Sequence, residues 1–155
     1  MCSEAGTYKE HLSMNHKLTI VLRSLLGIIF VAGPVAAMFH AGEPTLPPRA
    51  AAFAGALAKT GYMMPLLWST EIVAGLMLLS GILVPLALLL LAPVVVNIAL
   101  FHALLAPAGA GPAALVIGLE IFLAWQYRRA FEPLFVLRAG FGQHHDPASL
   151  KQQAA

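Results

Sequence analysis

Long apolar runs separated by short breaks dominate the chain. The longest covers residues 62–105 and contains only two side chains that can carry charge, Glu71 and His102. A helix needs about 20 apolar residues to cross the hydrocarbon core of a bilayer, and this run has about twice that number. Because Ser80-Gly81 and Pro85 interrupt it near its middle, the pattern predicts two membrane-spanning helices joined by a tight turn.

Two further apolar runs flank this pair. The first, residues 18–39, contains Arg23 and is longer than the apolar region of about 7–15 residues in a signal peptide, which argues against cleavage. The last follows the break Pro107–Pro112 and is shorter. The pattern therefore predicts membrane-spanning helices over residues 18–39, 62–80, 85–106 and 112–127. A polar tail over residues 1–17 precedes them, and a partly apolar tail over residues 128–155 follows.

The first loop, residues 40–61, has a pattern of its own. Phe53 and Leu57 stand four positions apart, between Arg49 and Lys59. That spacing places the apolar side chains on one face of a helix with basic residues at its ends. It predicts a short amphipathic helix that lies on the membrane surface.

Composition supports a membrane protein. Hydrophobic residues make up 59% of the 155 residues and charged residues only 10%, whereas soluble domains carry about 25% charged residues. The length suits one domain. The net charge of +2 gives no argument for nucleic acid, and the single Cys2 excludes an intramolecular disulfide.

The predicted fold class is an all-α integral membrane protein, a bundle of four transmembrane helices. A faint repeat suggests two tandem helical hairpins: Phe39-His40-Ala41 matches Phe101-His102-Ala103, and Glu71-Ile72 matches Glu120-Ile121. A chance match in so apolar a chain is the alternative.

Ionisable side chains inside the bilayer are costly, by at least about 2.5–3.5 kcal/mol on insertion scales, and normally find partners. By the helical rise, Arg23 lies about 8 Å from the cytoplasmic end of the first helix and Glu120 about 10 Å from that of the fourth. We therefore expect an Arg23–Glu120 ion pair. The alternative is that Arg23 extends to the lipid headgroups on its own.

The same estimate places Glu71 about 13 Å and His102 about 6 Å below the outer ends of neighbouring helices. A carboxyl group and an imidazole at these depths can hydrogen-bond a quinone and pass protons, so we predict that Glu71 and His102 form the functional centre. Trp68 and Phe101 are candidate walls, and Asn97 lies at the depth of Glu71. In the alternative interpretation these polar groups only join helices by hydrogen bonds.

The sequence predicts no metal site. The ligand pairs H-x-x-x-H and E-x-x-H are absent, as are a P-loop, a dinucleotide fingerprint and a nucleophile elbow. His144-His145-Asp146 in the tail has no further ligand near it in sequence, and His40 stands at the outer boundary of the first helix. We interpret these histidines as solvated or interfacial.

Short motifs over residues 18–135 resemble those of the DoxX family. They are Arg23 with Leu26–Phe30, Thr60-Gly61-Tyr62, Glu71 with Gly75, Leu91–Asn97, Phe101-His102 and Trp125–Arg129. The resemblance implies a four-helix inner-membrane protein. It also implies a quinone-associated redox subunit or accessory, since some members are subunits of thiosulfate:quinone oxidoreductase or of a terminal quinol oxidase.

Many other members of that family have no settled activity, so two further functions stay open. One is a non-catalytic subunit that binds a lipid or small hydrophobic molecule or stabilises a membrane complex, and the other is a small transporter. On the quinone hypothesis, Glu71 and His102 are catalytic, and Trp68, Asn97, Phe101, Glu120 and Arg23 contact the ligand. The sequence has no haem, flavin or metal motif, so a quinone or a partner subunit would carry electrons.

The distribution of Lys and Arg predicts the topology. Seven of the nine lie in or next to the two tails, two lie in the first loop, and the other loops have none. By the positive-inside rule, both termini are cytoplasmic.

Reporter fusions after Ala41, Gly81, Gly109 and Ala155 should read periplasmic, cytoplasmic, periplasmic and cytoplasmic. A periplasmic signal at Ala155 would refute this topology and the depths based on it.

Overall fold

The computed structural model describes residues 3–39 and 46–132, with side chains from His16 onward. It contains six α-helices in these ranges and no strand. They are α1 (Ser3–Met38), α2 (Pro48–Lys59), α3 (Met63–Ser80), α4 (Val84–Leu104), α5 (Ala110–Gln126) and α6 (Arg128–Phe131), with a 3₁₀ turn at Pro107–Gly109.

Four segments are long and apolar enough to cross a membrane. They are His16–Met38 of α1, Met63–Ser80, Val84–Leu104 and Pro107–Gln126. The predicted all-α fold with four membrane-spanning helices is therefore confirmed, as is the short helix in the first loop, which is α2. The physical reason is that a chain in hydrocarbon must satisfy its backbone hydrogen bonds internally, and helices do so within each span.

The first helix differs most from its predicted bounds. It begins at Ser3, so the part of the predicted tail from Ser3 to Lys17 continues the spanning helix without a break. No proline stands between Ser3 and Gly33, so the ladder of backbone hydrogen bonds meets no interruption there. Pro34 also stays inside α1, four residues before its end.

The spanning helices form a closed ring. The α1–α3 interface is the most extensive, α3 packs against α4, α4 against α5, and α5 returns to α1. The helix α2 lies outside the ring and contacts α3. The ring places α1 beside α3 and α4 beside α5, as the proposed tandem hairpins require, but α3 packs against α4 as extensively as α4 does against α5. His40 and Ala41 of the proposed repeat lie outside the described residues.

A three-residue turn joins α3 to α4. Gly81 ends α3 in the left-handed conformation with φ of 76°, and its N–H donates to the Met77 carbonyl at 3.0 Å. Leu83 is left-handed too, with φ of 54°. Glycine reverses the chain here without the steric cost that a Cβ atom brings. We call this end of the bundle the Gly81 end and the opposite one the α2 end.

Apolar side chains cover both the inside and the outside of the ring. Leu26, Leu78 and Leu91 are fully buried in the core. Large apolar side chains are exposed on the outer faces, and some of them, including Val21 and Ile121, are more than half exposed. Such a surface suits the acyl chains of a bilayer, where contact between helices must come from close packing and polar contacts.

The helices α1 and α3 approach each other most closely at two glycines. A Cβ atom on Gly27 would lie 2.9 Å from the Gly75 carbonyl oxygen, and one on Gly75 would lie 2.9 Å from the Gly27 oxygen. The Gly75 position would also bring it to 2.8 Å from Cγ2 of Val31. Backbone therefore meets backbone here, the type of contact that small residues permit between membrane helices.

This contact gives a prediction. Gly27→Ala and Gly75→Ala should each lower the free energy of unfolding, by about 1–3 kcal/mol, because the added methyl group forces the helices apart. The control is Gly33→Ala on α1, where a Cβ atom meets nothing within 4 Å. Thermal unfolding in detergent measures the effect. Equal stability of all three variants would show that the two helices are not held at this point.

Candidate functional site

Residues of all four spanning helices line a cavity of about 290 Å³, most of them from α1 and α3. Pockets that hold small ligands in proteins start at about 300 Å³, so the volume suits one head group. The lining is apolar except for one carboxyl group and one indole. Its members include Phe30 and Pro34 of α1, Trp68 and Glu71 of α3, Ile98 of α4 and Val116 of α5.

The cavity belongs to the α2 end of the bundle. Pro34 lies four residues before the end of α1, and Trp68 five residues after the start of α3. Ile98 lies six residues before the end of α4. By the helical rise these positions lie within about 10 Å of that end of the span. We call this space the Glu71 cavity.

Glu71 is the only charged side chain that lines this cavity. It is half-buried, and its carboxyl group has no hydrogen-bond partner among the described residues. Trp68 lies one helical turn away on the same face, since residues three apart on a helix are neighbours. A ligand in the cavity would therefore meet one hydrogen-bonding carboxyl group between apolar walls.

His102 does not line the Glu71 cavity. Its Nδ1 donates to the carbonyl oxygen of Ala106 at 3.0 Å, and its ring packs so closely under Gly109 that a Cβ atom there would overlap it. The imidazole thus fastens the end of α4 to the Pro107–Gly109 turn. The predicted Glu71–His102 pair is not brought together, because the chain folds back over His102 directly after α4.

Asn97 and Phe101 line a different cavity, of about 350 Å³, between α2 and α4. Arg49 and Phe53 of α2 complete it, and the rings of Phe53 and Phe101 lie 5.9 Å apart. By its depth along the helix, Asn97 is expected to line the same site as Glu71. Its neighbour Ile98 faces the Glu71 cavity instead, so Asn97 points to another side of α4. The sequence identifies Arg49 only as a basic end of the amphipathic helix and not as a cavity residue, although its place on that helix was a signal.

Arg23 and Glu120 lie toward the Gly81 end and do not form the predicted ion pair. The Arg23 guanidinium group lies against the α3–α4 turn, where a Cβ atom on Gly81 would come within 2.6 Å of Nη1. Glu120 is only 7% exposed. Within the described residues, Arg23 Nε and Glu120 Oε2 are buried without a hydrogen-bond partner. The expected pair is corrected: Arg23 packs on the turn instead.

No group of three or more potential metal ligands occurs in residues 3–39 and 46–132. The histidines at positions 40, 144 and 145 and Asp146 lie outside the described residues. The candidate chemistry of the described residues therefore rests on single polar side chains and not on a cluster of metal ligands.

Comparison with known families identifies one match. The model of the DoxX family matches residues 18–104. This range includes α2, α3, α4 and most of the spanning part of α1, and with them Trp68 and Glu71. No curated protein and no solved structure matches the chain.

The unpartnered carboxyl group of Glu120 leads to a prediction. A buried polar group without a partner costs about 1–3 kcal/mol, so Glu120→Leu should raise the free energy of unfolding in detergent by about 1 kcal/mol. Thermal unfolding is also measured for Arg23→Leu and the double variant, and the effects should add within about 0.5 kcal/mol. If Glu120→Leu instead lowers the stability and the double variant recovers part of the loss, the result would support an Arg23–Glu120 ion pair.

Proposed function

Because this chain, an all-α membrane protein, belongs to the DoxX family, we propose that it is a quinone-associated redox subunit or accessory of a membrane oxidoreductase. The quinone head group would occupy the Glu71 cavity. One observation carries the proposal: a single carboxyl group without a described partner lines an otherwise apolar cavity to which all four spanning helices contribute. On this proposal the protein resides in the inner membrane with both termini cytoplasmic.

The lining fits the chemistry of a quinone head group. Glu71 in its protonated form donates a hydrogen bond to a quinone carbonyl oxygen, which only accepts. Phe30 and Ile98 provide apolar walls for the flat ring, and aromatic side chains also stack on such rings. The apolar outer faces of the helices suit an isoprenoid tail that extends into the bilayer.

Reduction of a quinone to a quinol takes up two electrons and two protons. Glu71 holds a proton beside the carbonyl oxygen and so can supply one of them. The electrons come from a partner subunit in this proposal, because the sequence has no haem-ligand pair, flavin motif or paired cysteine. His102 has no part in the site, since its Nδ1–H is engaged with Ala106.

The chain contains two tryptophans, Trp68 at the cavity and Trp125 on the exposed face of α5. The variant Trp125→Phe leaves Trp68 as the single tryptophan, and a short-chain quinone should quench its fluorescence saturably when tryptophan is excited selectively. In that background Glu71→Leu should weaken binding about fivefold, the effect of losing one hydrogen bond of about 1 kcal/mol. Glu71→Gln keeps a hydrogen-bond donor and should retain most of the affinity.

The control is Trp68→Phe, which leaves only Trp125. Its quenching should rise linearly with quinone concentration, because it reports quinone dissolved in the detergent around the protein. If Glu71→Leu binds as tightly as its parent, or if Trp125 is quenched saturably in the same way, the Glu71 cavity is not the quinone site.

A further inference from the structure

The cavity between α2 and α4 has a composition unlike that of the Glu71 cavity. It combines one cation and one amide with apolar walls: Arg49 and Phe53 from α2, and Asn97, Leu100, Phe101 and Leu104 from α4. Its volume is about 350 Å³, and it shares no lining residue with the Glu71 cavity. We call it the α2–α4 groove. The two spaces can therefore bind different molecules.

Both polar side chains of the groove lack a partner among the residues that the structure describes. Asn97 is exposed on a spanning helix, and it has no hydrogen bond to any residue that the structure describes. An amide group in hydrocarbon costs several kcal/mol, roughly 2–7, when it makes no hydrogen bond. Arg49 is also exposed and has no ion pair among the described residues. A ligand from the bilayer can supply what both side chains lack.

The two polar side chains of the groove lie at different depths. Arg49 lies on α2, which belongs to the connection outside the spans, whereas Asn97 lies seven residues before the end of α4. By the helical rise the amide is about 10 Å deeper than that end. Leu100 and Leu104 follow Asn97 along the same helix, and Phe53 packs against Phe101 across the groove. A cation thus lies near the headgroups, and an amide lies among apolar side chains farther in.

Charge favours an anionic ligand. The helix α2 carries two basic residues, Arg49 and Lys59, and no acidic residue. A guanidinium group binds a phosphate through two parallel hydrogen bonds, which makes arginine suited to this group. The amide of Asn97 can donate to an ester carbonyl oxygen of a glycerol backbone.

We propose that the α2–α4 groove is a specific binding site for one anionic phospholipid. Arg49 holds the phosphate, Asn97 hydrogen-bonds the glycerol ester region, and the apolar side chains of Leu100 and Leu104, which lie between these two polar groups in depth, contact the lipid between them. The bound lipid fastens α2 to α4. This site is independent of the quinone proposal, because neither Glu71 nor Trp68 contributes to it.

Native mass spectrometry of the full chain in detergent tests the proposal with equal amounts of phosphatidylglycerol and phosphatidylcholine. One phosphatidylglycerol should be retained in preference. Arg49→Gln should lower its apparent affinity at least about tenfold, as expected for a charge-assisted hydrogen bond. Lys59→Gln removes the same charge from the same helix outside the groove and should change the affinity less than about twofold, within the range of a screened surface charge.

Two more variants separate the alternatives. Asn97→Leu should weaken binding of both lipids, because both contain the ester groups, and Glu71→Leu should leave lipid binding unchanged even if the quinone proposal fails. Size-exclusion chromatography and circular dichroism confirm folding. If Arg49→Gln does not fold, the proposal is tested by two other results: the parent must prefer phosphatidylglycerol, and Asn97→Leu must weaken lipid binding.

Three results would overturn the site. Equal retention of the two lipids would remove the anionic preference. An equal loss in Lys59→Gln and Arg49→Gln would assign the effect to the general charge of α2. Displacement of phosphatidylglycerol by millimolar inorganic phosphate would make a free anion, and not a lipid, the ligand of Arg49.

Discussion

The contact between Gly27 of α1 and Gly75 of α3 is the constraint on which the internal site depends. In a bilayer, helix association relies on close packing more than on the exclusion of water, and here backbone meets backbone. Phe30 lies one turn beyond Gly27, and Glu71 one turn before Gly75, both on the wall of the cavity. The glycine contact therefore holds α1 and α3 together beside the cavity and sets the distance between α1 and the carboxyl group.

Polar groups in the spans occupy separate places in the bundle. Glu71 faces an apolar cavity, Asn97 faces the α2–α4 groove, and Arg23 and Glu120 lie toward the Gly81 end. Of the five ionisable or amide side chains Arg23, Glu71, Asn97, His102 and Glu120, only His102 has a side-chain hydrogen bond within the described residues. Because unpartnered polar groups are expensive in hydrocarbon, their persistence is most simply explained by ligands or subunits that complete them, which is the basis of both proposals.

The helices could be predicted because their causes are local. The thickness of a bilayer sets the length of an apolar run, and the need for internal hydrogen bonds makes each run a helix. Gly81 marked the tight turn, and the spacing of Phe53 and Leu57 marked α2. The polar start of α1 departed most from its pattern, since residues 3–17 hold no proline to end a helix and no strong apolar signal to announce one. The predicted break at Pro107–Pro112 is also shorter than expected, because α5 already begins at Ala110.

The sequence by itself determined the four spans, the surface helix and the depth of each polar side chain along its span, because the rise per residue is constant. Only the tertiary structure decided which side chains meet. Neighbours such as Asn97 and Ile98 have almost the same depth, yet they face different cavities. The direction of a side chain around a helix acquires meaning only from the helices packed beside it. Glu71 and Trp68 lie one turn apart on α3 and line the same cavity. His102 lies outside that cavity, because the turn after α4 folds over its ring.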